Sequence, residues 1–474
     1  MKNKNKNNLP IELSIESIAF EGVALARKDG VVHFVRRAIP EEIVLAKVTK
    51  KRKRYLECEV MEVLKSSPNR VLPKCKHFGV CGGCSWQHLD YPEQLKWKER
   101  TVLETLKHLG KITPEIINNI IPSEPVYNYR NKMEFSFGPS RWLTTKEIDS
   151  GEKIVQKDFA LGLHIPERFD KVLDISECPI APEISIKILD RIRAQALMFG
   201  CKAYNTATHE GFLRNVVIRN SLSYQETMCI LITDNPKETC DEDFLKWFET
   251  EFVEEFKDTS IIHAVNTSFS PVAIGIPKLL NGKTHLIEEI LGIKYKISPF
   301  SFFQTNSYQL NPFVSKIIRI AELETSNTVW DLYCGTGSIS LPIARKINKI
   351  IGLELSESSI EDAKENAKLN EIDNVDFFSF DLHSKEFWSF ASELPKPDAI
   401  ILDPPRSGSH ENLLKLLKSV SPAKLVYVSC NPATLARDCQ FLSDNFYLKE
   451  IQAIDMFPQT YHVETIALLL NKEK

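Results

Sequence analysis

A cysteine and a glutamate near the carboxyl end of the chain have side chains suited to covalent and acid–base chemistry. Cys430 closes a predicted apolar strand within VYVSCNPATLARD, and Glu464 comes just before the last predicted strand, within HVETIALLL. A thiolate that adds to carbon 6 of a pyrimidine makes carbon 5 nucleophilic, and a base must then remove the carbon 5 proton. We therefore predict that Cys430 is the nucleophile and Glu464 the general base. The alternative for Cys430 is the commonest role of a cysteine, a small buried apolar residue.

Glycines and acidic residues at successive strand ends are typical of a nucleotide-binding crevice. Gly335 and Gly337 follow a predicted strand in DLYCGTGSIS and allow a tight turn against a ligand. Glu354 ends the second strand, where a carboxylate accepts hydrogen bonds from ribose hydroxyls, and Asp381 ends the third strand, near an adenine amine. Asp403 ends the fourth strand in ILDPPRSG, where it could hold a pyrimidine edge or the amino group of the cofactor.

The glycine segment indicates which cofactor the crevice takes. The third glycine of the dinucleotide-binding fingerprint is missing, because Ser340 stands at that position. There is thus no evident cradle for a pyrophosphate, which favours S-adenosylmethionine over NAD. A sulfonium methyl group is also what an activated carbon 5 would attack.

A second group of cysteines is typical of a metal or cluster site. Cys75, Cys81 and Cys84 form the spacing C-x5-C-G-G-C on a glycine-containing loop. Tetrahedral zinc and cubane clusters both require four ligands, and Cys178, which precedes a proline, is the best fourth. Spacing alone leaves zinc and iron–sulfur open. The total of 11 cysteines is odd, so they cannot all form disulfides.

The hydrophobic pattern changes twice along the chain and predicts three domains. Residues 10–65 contain about five short strands, as in a small OB-like β-barrel. Residues 125–290 mix strands and helices, which predicts an α+β middle domain. From about residue 293 strands alternate with helices, which predicts a doubly wound, Rossmann-like α/β sheet. The expected domains are 1–68, 69–292 and 293–474.

Charge is informative by its location. The chain of 474 residues has a net charge of −3, but residues 1–72 hold 15 Lys and Arg against 9 Asp and Glu. Six of the eight residues from Lys47 to Arg54 are basic, which indicates nucleic-acid contact or simply a solvated face. No stretch approaches the roughly 20 apolar residues of a membrane span. We expect a cytoplasmic protein without membrane contact, and a monomer.

The motifs in the last third of the chain resemble those of the RNA uridine-5-methyltransferase family, whose members are class I methyltransferases. FFQTN, DLYCGTG, GLELS, LDPPRSG, VSCNP and HVE stand in the family's order between residues 302 and 464. The N-terminal segment resembles a TRAM domain, an RNA-binding barrel. The resemblance implies S-adenosylmethionine-dependent methylation of carbon 5 of a uridine in RNA, through a covalent adduct with Cys430.

The resemblance also implies roles for further residues. Arg130, Asn131 and Lys132, within YRNKMEF, would help hold the RNA near the active site. The four cysteines would carry a [4Fe-4S] cluster, and this cysteine set favours 23S ribosomal RNA over transfer RNA. The residues implied to contact the cofactor are Gln304, Tyr333, Glu354, Asp381 and Asp403.

Other functions stay open at this point. A transfer-RNA uridine-5-methyltransferase has the same motifs, and a cytosine-5 RNA methyltransferase uses the same thiolate chemistry. A non-catalytic RNA-binding assembly factor is a third alternative, against which the presence of both Cys430 and Glu464 argues. A redox iron–sulfur protein is a fourth, disfavoured because no flavin or NAD fingerprint is present beyond the glycine pair.

Overall fold

In the part of the chain that the structure describes, the strands form three large sheets and one two-stranded hairpin. The computed structural model describes residues 9–151, 157–166 and 168–474. Among these residues, every helix is too short or too polar to span a membrane.

The first sheet, called here the N-terminal sheet, has six strands around one apolar core. The strands are β1 (Ile11–Ser14), β2 (Ser17–Ile18), β3 (Ala24–Lys28), β4 (Val31–Arg36), β5 (Ile43–Lys51) and β6 (Tyr55–Lys65). Their order is β1-β5-β6-β4-β3-β2, and β4 and β6 form the one parallel pair. Alternation of apolar and polar residues directs one face inward, where Leu13, Ala24, Val35, Val44 and Cys58 pack together. The basic residues from Lys47 to Arg54 are exposed on the end of β5 and the turn before β6.

Two elements connect this sheet to the rest of the chain. Helix α1 (Tyr91–Thr105) continues into a wider helical turn at Leu106–Gly110, and strand β7 (Ile116–Ile121) follows. The helix lies within the span that the apolar spacing and Gly110 predict.

The second sheet, called the central sheet, has seven strands, antiparallel except for one pair. The elements are β8 (Lys132–Gly138), α2 (Thr145–Asp149), β9 (Ala160–Ile165), β10 (Arg168–Asp174), α3 (Glu183–Phe199), β11 (Leu213–Asn220), β12 (Thr227–Thr233), α4 (Thr239–Glu249), α5 (Glu251–Glu255), β13 (Thr259–Val265) and β14 (Ile276–Asn281). The strand order is β10-β9-β8-β11-β12-β13-β14, with β12 and β13 parallel. Helices α3 and α4 supply apolar side chains such as Ile188 and Phe244 to the core of this sheet, as an α+β arrangement requires. A separate hairpin, β15 (Leu286–Ile290) and β16 (Ile293–Ile297), follows.

The third sheet, called the C-terminal sheet, is doubly wound, as the alternation of strands and helices predicts. The elements are α6 (Leu310–Ala321), β17 (Thr328–Leu332), α7 (Ser340–Ala344), β18 (Lys349–Glu354), α8 (Glu357–Leu369), β19 (Val375–Ser379), α9 (Lys385–Glu393), β20 (Ala399–Leu402), α10 (Glu411–Val420), β21 (Lys424–Ser429), α11 (Pro432–Leu442), β22 (Phe446–Ile454) and β23 (Glu464–Asn471). The strand order is β19-β18-β17-β20-β21-β23-β22-β7, and within this sheet β23 alone runs antiparallel to its neighbours. The order reverses between β17 and β20, which opens a crevice at the carboxyl ends of these strands.

Strand β7 belongs to the C-terminal sheet although it lies far upstream in the sequence. It pairs in parallel with β22, with Ile117 opposite Ile451. Residues 69–292 were expected to form the middle domain, whereas β7 lies within this range and pairs in the C-terminal sheet. The sequence does not predict this pairing, because partners more than 300 residues apart leave no local pattern. The N-terminal and C-terminal parts of the chain are therefore joined through α1 and β7.

Candidate active site

Cys430 lies at the carboxyl end of β21, directly before helix α11. Asn431 caps that helix, because its Oδ1 accepts a hydrogen bond from the N–H of Ala433 at 3.0 Å. The Nδ2 of Asn431 donates to the carbonyl oxygen of Arg406 at 3.0 Å, which ties this loop to the loop after β20. The positive end of α11 thus lies beside the cysteine, where it favours the thiolate form.

Glu464 is the first residue of β23, and the strand register brings it next to Cys430. Ser429 pairs with Thr465 in the antiparallel β21–β23 ladder, so the next two positions along the strands are Cys430 and Glu464. Glu464 is 5% exposed. The predicted nucleophile and base meet because β23 inserts between β21 and β22 in the reverse direction.

Burial and mutual charge control the protonation of this pair. Burial, and then the negative charge of Glu464, raises the pKa of the Cys430 thiol to about 11. Burial, and then the charge of Asp403, raises the pKa of Glu464 well above its ordinary value. The guanidinium of Arg406 lowers the pKa of both groups. Burial thus favours the protonated form of both residues, and Arg406 favours their charged forms.

Arg406 is a site residue that the sequence analysis did not single out. It lines the same cavity as Cys430 and acts electrostatically on Cys430, Glu464 and His462. A signal for it was available, because it directly follows the Asp-Pro-Pro of the fourth strand end. The groups on which its charge acts, Cys430 and Glu464, lie at the ends of β21 and β23. The sequence alone does not predict that these strand ends meet beside Arg406.

Asp403 lies at the centre of the crevice, between the ends of β17 and β20. Its N–H donates to the carbonyl oxygen of Leu332 at 3.3 Å. Burial raises the pKa of its carboxyl group to about 7, and its charge raises the pKa of both Cys430 and Glu464. A carboxyl group that titrates near neutrality can either donate or accept a hydrogen bond. Such a group suits the edge of a pyrimidine ring, which carries both donors and acceptors.

The glycine turn after β17 has the backbone conformation that its sequence predicts. Tyr333, Gly335 and Gly337 have φ angles of 65°, 53° and 82°. A Cβ atom on Gly337 would lie 3.2 Å from the ring of Phe377 and 3.3 Å from Leu341, so the turn packs directly on the sheet. This close approach leaves the backbone amides of the turn at the crevice edge, where a ligand can approach them.

Glu354 is held at the end of β18 by three backbone groups. Its Oε2 accepts from the N–H of Gly335 at 3.3 Å, and its Oε1 accepts from Leu355 at 2.8 Å and Ser356 at 3.0 Å. The carboxylate is thereby aimed along the glycine turn. This orientation suits the predicted role of Glu354 in holding a ribose.

Tyr333, His383 and Asp381 form one side of the crevice. The Oη of Tyr333 lies 3.0 Å from Nε2 of His383, and the N–H of His383 donates to Oδ1 of Asp381 at 2.9 Å. His383 is a residue that the sequence analysis missed, and its ring also stacks on that of His410 with centroids 5.2 Å apart. Tyr333 and Asp381 are therefore adjacent, although 48 positions separate them.

Gln304 sits on the segment before α6 and is held there by the central sheet. Asn131 donates its N–H to the carbonyl oxygen of Thr305 at 2.9 Å, and its Nδ2 donates to Gln304 at 2.9 Å and to Ser307 at 2.8 Å. Asn131 is 9% exposed. Asn131 thus holds the Gln304 segment in place. The RNA contact expected of Asn131 from the sequence stays a prediction.

The two basic residues beside Asn131 are placed differently. Arg130 lines the cavity that the four clustered cysteines share, and its Nε donates to the carbonyl oxygen of Lys132 at 3.0 Å. Lys132 pairs with Glu134 at 3.4 Å across a partly exposed strand surface. Arg130 therefore connects the cysteine group to the segment that carries Gln304.

The four predicted metal ligands meet around one cavity of about 400 Å³, although Cys178 is remote in sequence. The cavity is lined by Cys75, Cys81, Cys84 and Cys178. Burial, together with the charges of the other cysteines, raises the pKa of Cys81 to about 11. The Sγ of Cys81 accepts from the N–H of Gly83 at 3.3 Å, a contact that stabilises a thiolate ligand. The donor set and the cavity fit a group that binds several thiolates.

A third cysteine group was not predicted. The ligand atoms of Cys201, Cys240 and Asp241 lie within 4.8 Å of one another at the start of α4. Two N–H groups of the preceding residues, Lys237 and Glu238, already donate to Asp241, which is the N3 residue of a capping box. This group is accounted for by helix capping and packing.

Comparison with known proteins finds RNA methyltransferases that are similar to this chain. The family model described as tRNA (uracil-5-)-methyltransferase matches residues 283–473. An RNA methyltransferase of Bacteroides thetaiotaomicron is 38% identical over 456 residues, covering 95% of this chain and 99% of the relative. A second, from Chlorobaculum tepidum, is 37% identical and covers 90% of this chain and 89% of its own.

A solved structure has the same arrangement over nearly the whole chain. It is the tRNA (uracil-54, C5)-methyltransferase of Pyrococcus abyssi in complex with S-adenosyl-L-homocysteine, 28% identical, with a TM-score of 0.73. The match covers 97% of this chain and 100% of that one. Because relatives 37–38% identical cover 90% or more of this chain and the family model matches its C-terminal part, the chain belongs to the RNA uracil-5-methyltransferase family.

Proposed function

We propose that the protein uses S-adenosylmethionine to methylate carbon 5 of a uridine in RNA, with Cys430 bonded transiently to the ring. The observation that carries the proposal is the adjacency of Cys430 and Glu464 across the β21–β23 ladder, with Asp403 at the neighbouring strand end. This reaction requires a thiol, a general base and a group that hydrogen-bonds to the edge of the pyrimidine ring. A cytosine-5 methyltransferase or an assembly factor has no observation of its own in favour.

The covalent steps use Cys430 and Glu464, while Asp403 would hold the edge of the ring. Cys430 first loses its thiol proton to solvent, and Glu464 enters the reaction as the carboxylate. The thiolate of Cys430 then forms a bond to carbon 6, and the electron pair of the C5–C6 double bond moves toward the carbonyl at carbon 4. Carbon 5 then takes the methyl group that the cofactor supplies. Glu464 accepts the proton from carbon 5, the double bond forms again, and the bond from carbon 6 to Cys430 breaks. The products are 5-methyluridine, the demethylated cofactor and one proton.

Positioning of the cofactor is proposed for five residues. Tyr333, Glu354 and Asp381 lie at the ends of β17, β18 and β19 respectively, where adenosine ligands bind in sheets of this kind. Gln304 approaches from the segment before α6, and Asp403 from the end of β20. The S-adenosyl-L-homocysteine named with the Pyrococcus abyssi relative supports S-adenosylmethionine as the donor.

A [4Fe-4S] cluster is the proposed occupant of the four-cysteine cavity. The four cysteines line one cavity of about 400 Å³. The family resemblance, in which this cysteine set carries such a cluster, favours a cubane cluster over a single zinc ion. The cluster would tie the segment around Cys75 to the loop after β10.

The RNA is proposed to be 23S ribosomal RNA, with transfer RNA as the second candidate. The four-cysteine resemblance favours the first, and the names of the matched family and of the Pyrococcus abyssi relative favour the second. In either case the exposed basic residues from Lys47 to Arg54 would attract the phosphate backbone, as expected of a TRAM-like domain. We propose domain boundaries at 68/69 and 292/293, with β7 as a segment of the middle part that pairs within the C-terminal sheet.

The experiment is mass mapping of 5-methyluridine in ribosomal and transfer RNA from cells with and without the gene. We expect one uridine of 23S ribosomal RNA to lose its methyl group in the deletion strain and to regain it with the purified protein and S-adenosylmethionine. Loss at a transfer-RNA uridine would favour the second candidate. An unchanged map, or a methylated cytosine, would contradict the proposed function.

A further inference from the structure

The N-terminal sheet supplies part of the wall around the candidate nucleophile. The turn between β2 and β3, residues 20–22, lines the same cavity as Cys430. The cavity is also lined by Arg406 and by the loop before β23, including Tyr461 and His462. More than 400 positions of sequence separate the turn from Cys430, so only the folded chain reveals this contact.

This turn is docked rigidly against the active-site loop. The indole Nε1 of Trp86 donates to the carbonyl oxygen of Gly22 at 2.9 Å. Gly22 has a φ of 75°, and a Cβ atom there would lie 2.4 Å from the Cβ of Tyr461, so no side chain fits between them. The N–H of Tyr461 donates to the Oγ of Ser85 at 3.1 Å, which fastens the opposite side. The turn thus packs against the loop that leads to Glu464 and forms part of the cavity wall.

The chemistry of the turn suits a nucleobase better than a phosphate. Phe20 is 48% exposed and lines the same cavity as the half-buried thiol of Cys430. Its neighbour Glu21 carries a negative charge, which repels a phosphate group. The cation of this cavity, Arg406, lies on a different loop, the one after β20. A sugar–phosphate backbone is therefore favoured toward Arg406 and a flat apolar ring toward Phe20.

We propose that Phe20 is a stacking platform for a nucleobase that flanks the target uridine in the RNA. The inference rests on the proposed function, since the uridine must leave its stack to reach Cys430, and its neighbours then need a new surface. An exposed aromatic ring supplies that surface for any base, because every base has a π-face. The N-terminal sheet thus takes part in substrate selection at the active site, in addition to any attraction that its basic residues exert.

The test compares replacements of Phe20 on the RNA that the wild-type protein methylates, transcribed without modifications. Phe20→Ala should raise the KM for RNA roughly 5- to 140-fold, the range expected from loss of one stacked base, and leave kcat within about threefold. Phe20→Trp or Phe20→Tyr should restore the wild-type KM, whereas Phe20→Leu should not. Met61→Ala is the matched control, since Met61 is an exposed apolar residue of β6 that does not line this cavity.

RNA with an abasic site identifies the stacked base. One abasic position beside the target uridine should weaken wild-type binding as Phe20→Ala does, and should have no further effect on the Phe20→Ala variant. Full rescue by Phe20→Leu, an unchanged KM in Phe20→Ala, or additive losses at every flanking position would each overturn the stacking role. A wild-type protein that methylates no uridine would contradict the proposed function instead, so the two failures are distinguishable.

Discussion

Lys98 and Asp455 form a buried ion pair, with Nζ and Oδ1 2.6 Å apart and both side chains 0% exposed. Lys98 belongs to α1, and Asp455 directly follows β22, on the loop that leads to Glu464. The same Nζ donates to the carbonyl oxygen of Phe457 at 3.0 Å. One side chain of the connecting helix therefore fixes the loop that positions the candidate base.

Removal of that cation should destabilise the protein strongly. Lys98→Met leaves the carboxylate of Asp455 buried without its partner, and breaking such a pair costs about 3–5 kcal/mol of unfolding free energy. The double variant Lys98→Met/Asp455→Asn should recover part of the loss, because no uncompensated charge is left. Chemical denaturation of the three proteins measures both differences. A Lys98→Met variant as stable as the wild type would show that the pair has no such role.

Cys430→Ala should abolish methylation and leave cofactor binding intact. The alanine cannot form the bond to carbon 6, whereas Glu354 and the glycine turn, which would hold the cofactor, are untouched. Methyl transfer from labelled S-adenosylmethionine and calorimetric titration of S-adenosyl-L-homocysteine check the two parts. Cys240→Ala is the control, since that cysteine lies at the start of α4 in the central part of the chain. Product formation by the Cys430→Ala variant would contradict covalent catalysis.

Glu464→Gln should trap the protein on the RNA after methyl transfer. The amide cannot take the carbon 5 proton, so the bond between Cys430 and carbon 6 does not break. Loss of the negative charge also lowers the pKa of Cys430, because the Glu464 carboxylate is a cause of its elevation. The adduct should persist on denaturing gels and carry label from the methyl donor. Turnover at the wild-type rate would show that another group is the base.

Activity should rise with pH through the neutral range. Cys430 has a pKa of about 11 and Glu464 a raised pKa, and each must lose its proton to react, so deprotonation raises kcat/KM in both cases. Arg406 lowers both pKa values, and Arg406→Gln should therefore shift the profile to higher pH, with Arg406→Lys as the charge-retaining control. A pH–rate profile of the three proteins checks this. An identical profile for Arg406→Gln would contradict its electrostatic role.

Local patterns carried most of the site, and contacts between distant segments account for what was missed. The strand ends before Tyr333, Asp403 and Cys430 were predicted because short apolar runs and turn residues are encoded locally. The docking of Gly22 on Tyr461 was not, since it depends on how two sheets meet. The same reason explains β7, whose partner strand lies more than 300 residues downstream. The N-terminal segment was predicted to attract RNA through its basic residues. Its contribution to the wall of the Cys430 cavity was not predicted, because no local sequence pattern indicates it.

The four-cysteine cavity predicts a spectroscopic result that does not depend on activity. A [4Fe-4S] cluster gives the anaerobically purified protein a broad visible absorbance and four irons per chain, whereas zinc gives a colourless protein with one metal ion. Cys84→Ser and Cys178→Ser should each remove the absorbance and lower the melting temperature, because the cluster would cross-link two segments that lie far apart in the sequence. Cys201→Ser is the matched control, since its thiol packs against Cys240 and Asp241. Stoichiometric zinc, or an absorbance that survives Cys84→Ser, would show that the four cysteines do not hold such a cluster.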